Sequence, residues 1–354
     1  MDVVIKRIVT EHRVEEKLCP ACGKLVSTSF PNEVSHYLQY GPTLKAVMLC
    51  LNQGNFVPFE RLSQLSRDIL GIPLSTGTLV NMVKECGETL KQSMDYIKKQ
   101  LLQSDIIHSD ETGVRISGKT VWLHNASNEH YTYLETHKKR GNEATDAIGI
   151  LKEYQGVLVH DFWKSYFVYG QCLHALCNAH ILRELTGIID NFKQEWAQKM
   201  ITLLVELNNK VKLSGGFLVG NDLDDFKNRY DEILSAARME NPIIAQPSEI
   251  NKKRGRIAKS KPQNLIERMA EHKEDILRFA TDPQIPFDNN QAERDIRMSK
   301  LHQKVSGCFR STDGNNAFGN IRSYISTAIK QRVSMFDAIL KATSGKPLFS
   351  GESQ

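Results

Sequence analysis

The stretch "DIIHSDETGVRISGKTVWLHNASNEHYTYLETH", Asp105 to His137, decides the fold class. Its residues alternate with a period of two and are interrupted at "SGK" and "SNEH", which predicts three strands in an antiparallel meander. The helical pattern "NEATDAIGILKEY" (142–154) then leads into "GVLVHD" (156–161). That apolar run suits a strand buried on both faces. A further strand, "HALC", and the helix "NAHILRELTGII" follow. Strands alternating with helices imply an α/β layer.

Upstream, from about residue 43 to 103, the period is helical: "PTLKAVMLCLNQG", "PFERLSQLSRDILG" and "LSTGTLVNMVKECGETLKQSMDYIKKQL". Gly71 ends the second helix and Ser75 or Thr76 caps the third, giving a helix-turn-helix outline across "GIPLS". Two readings stay open, a DNA-contacting motif and a plain helical hairpin. Downstream, from about 191 to 282, the chain is amphipathic and helical, broken at Gly215–Gly216 and again at "NKKRGRIAKSKPQN" (251–264). That second break carries Lys252, Lys253, Arg254 and Arg256 and no acid. It is either a solvated loop or a contact for phosphates.

The chain has 354 residues, seven cysteines and a net charge of +5. An odd cysteine number scattered over such a length argues for reduced thiols or metal ligation rather than a disulfide framework. Cys19 and Cys22, in "CPACGK", have the spacing of half a zinc ribbon. No apolar run reaches the roughly 18 residues of a membrane span, and the start lacks a signal-peptide core, so the expectation is a cytoplasmic protein with no membrane partner. The mild positive charge permits nucleic acid as a partner without demanding it.

Three acids occupy informative places. Asp110 ends "DIIHSD", Asp161 ends "GVLVHD", and Glu293 falls in the first turns of a helix opened by "DNNQAERDIR" (288–297). Side chains past the carboxyl ends of parallel strands gather in one crevice. Three converging carboxylates need a cation, and oxygen ligands favour Mg²⁺ or Mn²⁺ over zinc. Two such ions about 4 Å apart can clamp an in-line phosphoryl displacement. Around Glu293, a face of Arg297, Lys300 and Lys304 could hold phosphates; the plain alternative is a surface ion pair from Glu293 to Arg297. The scattered apolar residues Ala292, Ile296, Met298 and Leu301 predict that this helix ends near Ser299. Cys177 and His180, three apart in "CNAHILRE", are two soft ligands only, and a structural histidine beside a buried cysteine is the simpler reading. Asp288 and the two asparagines after it, Asn289 and Asn290, are expected to cap the helix; contact with DNA is the alternative.

"HSDETGVRISGK", "GVLVHDFWKSY", "HALCNAHILREL" and "DNNQAERDIR", in this order and over nearly the whole chain, resemble bacterial DDE transposases of the insertion-sequence-sixty-six family, the TnpC type. The resemblance implies an RNase H-like catalytic domain with a large helical insertion. It implies that Asp110, Asp161 and Glu293 are metal-binding catalytic acids using two Mg²⁺ or Mn²⁺ ions, and that Cys177 and His180 match a C-x2-H signature between the last two acids. Relatives carry a further cysteine pair upstream, so Cys19 and Cys22 read as one half of a Zn²⁺ site. The implied organisation is a partial zinc-ribbon-like segment (1–42), a helix-turn-helix-like DNA-binding region (43–103), the catalytic domain's first part (104–190), the helical insertion with its basic loop (191–282) and the second part with the third acid (283–345). The implied partners are terminal inverted repeats, target DNA, further copies of the chain and accessory transposition proteins. A non-catalytic DNA-binding protein and a metal-dependent structure-specific nuclease are the alternatives.

Overall fold

The computed structural model describes residues 1–242 and 259–351. They form two compact units, Met1–Met94 with Leu301–Gln354, and Asp95–Lys300.

The first unit opens with a hairpin of β1 (Glu16–Leu18) and β2 (Leu25–Ser27), antiparallel with Glu16 opposite Ser27. Cys19 and Cys22 occupy its turn, which Gly23 closes at φ +64°. Helix α1 (Pro42–Leu49) starts on a proline and continues through a π-helical turn, Cys50–Gly54. Helix α2 (Phe59–Asp68) and helix α3 (Thr76–Thr89) are separated by Gly71 in the left-handed region at φ +64°. Ser75 caps α3, its Oγ accepting from the Thr78 N–H at 3.0 Å. Met48, Leu62, Leu74, Leu79 and Met82 close a small core between these helices. The turn and cap thus lie where the sequence signals them.

Helix α4 (Lys91–Leu102) leads into the second unit, built on a five-stranded mixed sheet. Strands β3 (Ile106–Ile116), β4 (Lys119–Ser127) and β5 (Thr132–His137) form the antiparallel meander. The β3–β4 connection is Ser117–Gly118, both at positive φ (48° and 79°), which suits the right-handed twist of a tight hairpin. Helix α5 (Asn142–Ile148) is shorter than its sequence pattern, because Gly149 turns left-handed at φ +73° and ends it. Strand β6 (Val157–His160) then pairs parallel to β3, and β7 (Leu173–Leu176) parallel to β6, giving the order β5-β4-β3-β6-β7.

Helix α6 (Asn178–Phe192) follows, then α7 (Glu195–Leu213), α8 (Asn221–Glu240), α9 (Lys261–Glu271) and the short α10 (Lys273–Leu277). Their apolar faces, including Trp196, Leu203, Tyr230 and Met269, share one core with Val159, Ala175 and Leu176 of the sheet. Arg278, just after α10, donates from Nε to the His174 carbonyl on β7 at 2.6 Å. Lys252, Lys253, Arg254 and Arg256 lie outside the described residues.

Helix α11 spans Asn290–Ser306 and does not stop near Ser299. Its buried stripe is Ala292, Ile296 and Ser299, at helical spacing, with Leu301 turned to solvent. Ser299 is tolerated inside because its hydroxyl donates to the Ile296 carbonyl at 2.8 Å. A polar residue in the stripe and an apolar one outside it hide the helix from a count of apolar residues.

Helices α12 (Thr312–Lys330) and α13 (Met335–Thr343) complete the first unit. The sequence-based division groups 301–345 with the sheet, whereas from Leu301 onward the residues cluster with the N-terminal helices. The physical reason is visible at Gly87 of α3. A Cβ there would lie 2.7 Å from the Cβ and 2.8 Å from the Cα of Ala317, so the missing side chain lets α12 pack directly on α3. Among the described residues, no helix is long and apolar enough to cross a membrane.

Candidate active site

The β3–β6 register sets Asp110 and Asp161 beside each other. Ile106 pairs with Val157 and His108 with Val159, and each acid lies two residues beyond the last of these pairs. Because the strands are parallel, both carboxylates emerge at the same end of the sheet. Backbone donors hold both: Asp110 Oδ1 accepts from the Glu111 N–H and Asp161 Oδ1 from the Trp163 N–H, each at 2.8 Å. Burial, then the charges of Glu111, Asp161 and Glu293, push the Asp110 carboxyl up to about 7. Asp110 therefore feels the acid from the neighbouring strand and the one from α11.

Glu293 reaches this neighbourhood through Asn289, which is 2% exposed. The Asn289 carboxamide bonds His108 Nδ1 through Oδ1 at 2.8 Å and donates from Nδ2 to the Ser109 carbonyl at 2.8 Å. Its backbone N–H donates to Cys177 Sγ at 3.2 Å. One residue thus ties the start of α11 to β3 and to the start of α6. Asp288 caps the helix, its Oδ1 accepting from the Asn290 N–H at 3.0 Å. Glu293 sits one turn further along, its N–H bonded to the Asn289 carbonyl at 3.3 Å.

The partners of Glu293 differ from those the sequence suggests. Arg183 Nη2 lies 3.2 Å and His180 Nε2 3.8 Å from Glu293 Oε1. Both belong to α6, whereas the i to i+4 pair with Arg297 does not form. Cys177, His180 and Glu293 each present one ligand atom within 4.8 Å of the others. Topology thus brings the C-x2-H pair, read from sequence as two soft ligands only, to the third acid. Cys177 is 2% exposed, and burial pushes its thiol up.

Ser109 and Glu111 face away from Asp110, as alternate strand residues must. The Glu111 side chain is 2% exposed and accepts from Arg140 Nε at 2.7 Å and from the Tyr166 hydroxyl. Burial raises its carboxyl, while those two donors oppose the shift. Arg140 stacks 3.8 Å from the Trp163 ring and 4.8 Å from that of Trp122. Sequence reading missed Glu111, Arg140 and Tyr166, and the partners of Arg183 and Asn289. The tandem acids of "DET" and the paired asparagines of "DNN" were the available signals.

Of the basic face on α11, Lys300 donates to the Gly113 carbonyl at 2.6 Å, while the Arg297 and Lys304 side chains are exposed. A cavity of about 620 Å³ borders the Asn289 clamp, lined by His108, Asp288, Asn290 and Arg294 among others; the three acids do not line it. In the N-terminal hairpin, the Ala21 and Cys22 N–H groups pull the Cys19 thiol down. Among the described residues, no third histidine, cysteine or carboxylate joins Cys19 and Cys22 within ligand reach.

A family model described as "Transposase IS66 family" matches residues 38–317, a span that includes all three acids, Cys177, His180 and helices α1 to α11. An uncharacterised protein, y4hP, of Sinorhizobium fredii (strain NBRC 101917 / NGR234) is 21% identical over 344 residues. That alignment covers 86% of this chain and 59% of the relative, so the chain spans less than two thirds of that protein's length. With the family model matched over more than half of its residues, the chain belongs to the IS66 family of transposases.

Proposed function

We propose that this chain is a DDE transposase that cleaves and joins DNA strands at the ends of a bacterial insertion sequence, with the mixed sheet as an RNase H-like catalytic core. The observation that carries the reading is the parallel β3–β6 register, which brings Asp110 and Asp161 out at one end of the sheet; the charges of Asp161 and Glu293 both push the Asp110 carboxyl up. Carboxylates gathered at this density repel one another unless a cation joins them. Oxygen donors on Asp110, Asp161 and Glu293 fit Mg²⁺ or Mn²⁺, and these three residues would hold the ions. When bound, such ions supply Lewis acidity at the scissile phosphate.

The protein's own residues have separate tasks. Asp110 and Asp161 leave adjacent parallel strands, each carboxylate held by a backbone N–H, from Glu111 on β3 and from Trp163 in the loop after β6. Asn289 fixes the helix bearing Glu293 to the strand bearing Asp110. Glu111, paired with Arg140 and bonded by the Tyr166 hydroxyl, anchors the opposite face of β3, and its charge adds to those that raise Asp110. Exposed Arg297 would bind DNA phosphates close to the acids, Lys300 would do so on leaving the Gly113 carbonyl, and exposed Lys304 would contact DNA further along α11. Lys252, Lys253, Arg254 and Arg256 are assigned to the same DNA, as are the polar residues at the start of α3. The elements act in the bacterial cytoplasm as multimers that pair two ends, with accessory proteins. Cys19 and Cys22 would supply half of a Zn²⁺ site.

The test is one reaction, purified protein with labelled element ends and Mg²⁺, scored for cleavage and strand transfer. Asp110→Asn and Glu293→Gln should abolish both products and leave DNA binding largely intact. Divalent-dependent cleavage that persists in either variant overturns the assignment. Cleavage without joining would identify a nuclease, and binding without cleavage a non-catalytic DNA-binding protein.

A further inference from the structure

We propose that Cys177, His180 and Glu293 form a binding site for a thiophilic divalent ion, Zn²⁺ by donor chemistry, and that this ion competes with the acidic cluster for Glu293. The competition rests on the transposase reading; the site itself does not.

The three donors come from two helices held in register before any ion arrives. Cys177 opens α6, its N–H bonded to the His160 carbonyl at 2.9 Å, and His180 follows nearly one turn later on the same side of the helix. Asn178 between them is fully buried, its N–H on the Phe287 carbonyl at 3.0 Å and its Nδ2 on the Ile276 carbonyl at 3.0 Å. The backbone just before α11 is therefore pinned to the start of α6, and the Asn289 N–H to Cys177 Sγ adds a second tie. The ligand atoms already lie within 4.8 Å of one another.

A sulfur, nitrogen and oxygen set is typical of zinc, with Zn–ligand distances of about 2.0–2.3 Å and a fourth position left for water. Mg²⁺ prefers an oxygen shell and has little use for a thiolate. In tetrahedral geometry those bond lengths separate neighbouring ligand atoms by roughly 3.3–3.8 Å. His180 and Glu293, 3.8 Å apart, lie a few tenths of an ångström beyond the roughly 3.3–3.5 Å of a nitrogen–oxygen pair. Closure draws the three donors, already within 4.8 Å of one another, inward onto the ion. On binding, the Cys177 thiol gives its proton to solvent, and thiolate plus carboxylate balance the dication. Arg183 now supplies a positive charge at Glu293 Oε1, and its 63% exposed side chain can swing out to make room. A Glu293 carboxylate bound to zinc has less charge to offer the cluster at Asp110.

Co²⁺ is the probe, because a cobalt–thiolate bond absorbs in the near ultraviolet. The full chain is used with Cys19→Ser and Cys22→Ser, so that the hairpin thiols do not contribute. One equivalent of Co²⁺ should produce the charge-transfer band, and Zn²⁺ should remove it. The band should vanish in Cys177→Ser, which keeps an acceptor for the Asn289 N–H, and apparent affinity should fall at least tenfold in His180→Ala and Glu293→Gln. Circular dichroism checks that each variant is folded. A folded protein without the band, or a band unchanged by Cys177→Ser, overturns the site. In cleavage reactions with excess Mg²⁺, Zn²⁺ should inhibit the Cys19→Ser, Cys22→Ser protein and not the same protein carrying Cys177→Ser. Binding without inhibition overturns the sharing of Glu293. Absence of cleavage under any condition counts against the transposase reading alone, and the band still decides the site.

Discussion

Asn289 donates from Nδ2 to the carbonyl oxygen of Ser109 at 2.8 Å, joining the residue before Asp110 to the helix turn before Glu293. Removing the carboxamide strips a buried carbonyl of this donor, which costs about 1–3 kcal/mol. Asn289→Ala should lower unfolding free energy by about that amount in urea titration. It should also reduce the thermal stabilisation given by Mg²⁺, since the acids lose their common frame. A change below about 0.5 kcal/mol, in the range of an ordinary surface substitution, would mean that the clamp holds nothing.

The Glu111–Arg140 pair is asymmetric, with side-chain exposures of 2% and 34%. Removing the guanidinium leaves a buried carboxylate short of a partner. Arg140→Met should destabilise by roughly 2–3 kcal/mol, below the full penalty for breaking a buried pair because Arg140 is partly solvated. Glu111→Gln in the same chain should restore most of the loss, and a double-mutant cycle measures the coupling.

Gly87→Ala normally favours a helix by up to about 1 kcal/mol. Here the new methyl meets Ala317 Cβ at 2.7 Å and its Cα at 2.8 Å, and a backbone atom cannot give way cheaply. Net destabilisation of about 1–3 kcal/mol is expected, the usual range for an overpacked core. A raised melting temperature would show that α3 and α12 can separate freely.

His302 packs among Phe56, Phe309 and Phe318, with ring centroids at 5.8, 4.5 and 4.9 Å. Burial lowers its imidazole from the ordinary 6.5 to about 4. The folded state therefore resists a proton that the unfolded chain accepts. This contribution to stability is intact above 6.5 and lost as pH falls through 6.5 toward 4. His302→Phe should remove about 2 kcal/mol of the stability lost between pH 7 and 4.5, measured as the difference from the parent chain. Parallel pH curves for the two proteins would contradict this.

On the DNA side, Arg297 and Lys300 should separate. Arg297 is exposed, so Arg297→Ala should weaken binding about equally for all sequences and reduce the salt slope by about 1. Lys300 is held by the Gly113 carbonyl at 2.6 Å, so Lys300→Ala should change the slope less. Equal slopes for both variants would show that Lys300 leaves that carbonyl to bind phosphate.

The meander, the buried β6 strand and the boundaries of α2 and α3 were legible because local chemistry dictates them: alternation, a tight turn, a glycine and a cap. The proximity of Asp110 and Asp161 followed from strand ends and parallel register. Asn289 was not legible, because its partners His108 and Ser109 lie far away in sequence and an amide gives no periodic signal. The meeting of Cys177 and His180 with Glu293 depends on how the chain returns after the helices following α6, which no local pattern records. The end of α11 was misread for a local reason: Ser299 lies inside and Leu301 outside.

Strand β7 is the rim of the sheet, and a bare rim offers unpaired amides and carbonyls to any other chain with a free strand. Arg278 occupies the His174 carbonyl there, and the helices before it cover the neighbouring apolar face. The helical insertion is therefore also a guard against edge-to-edge aggregation. A chain trimmed of these helices exposes a sticky border rather than yielding a smaller folded protein.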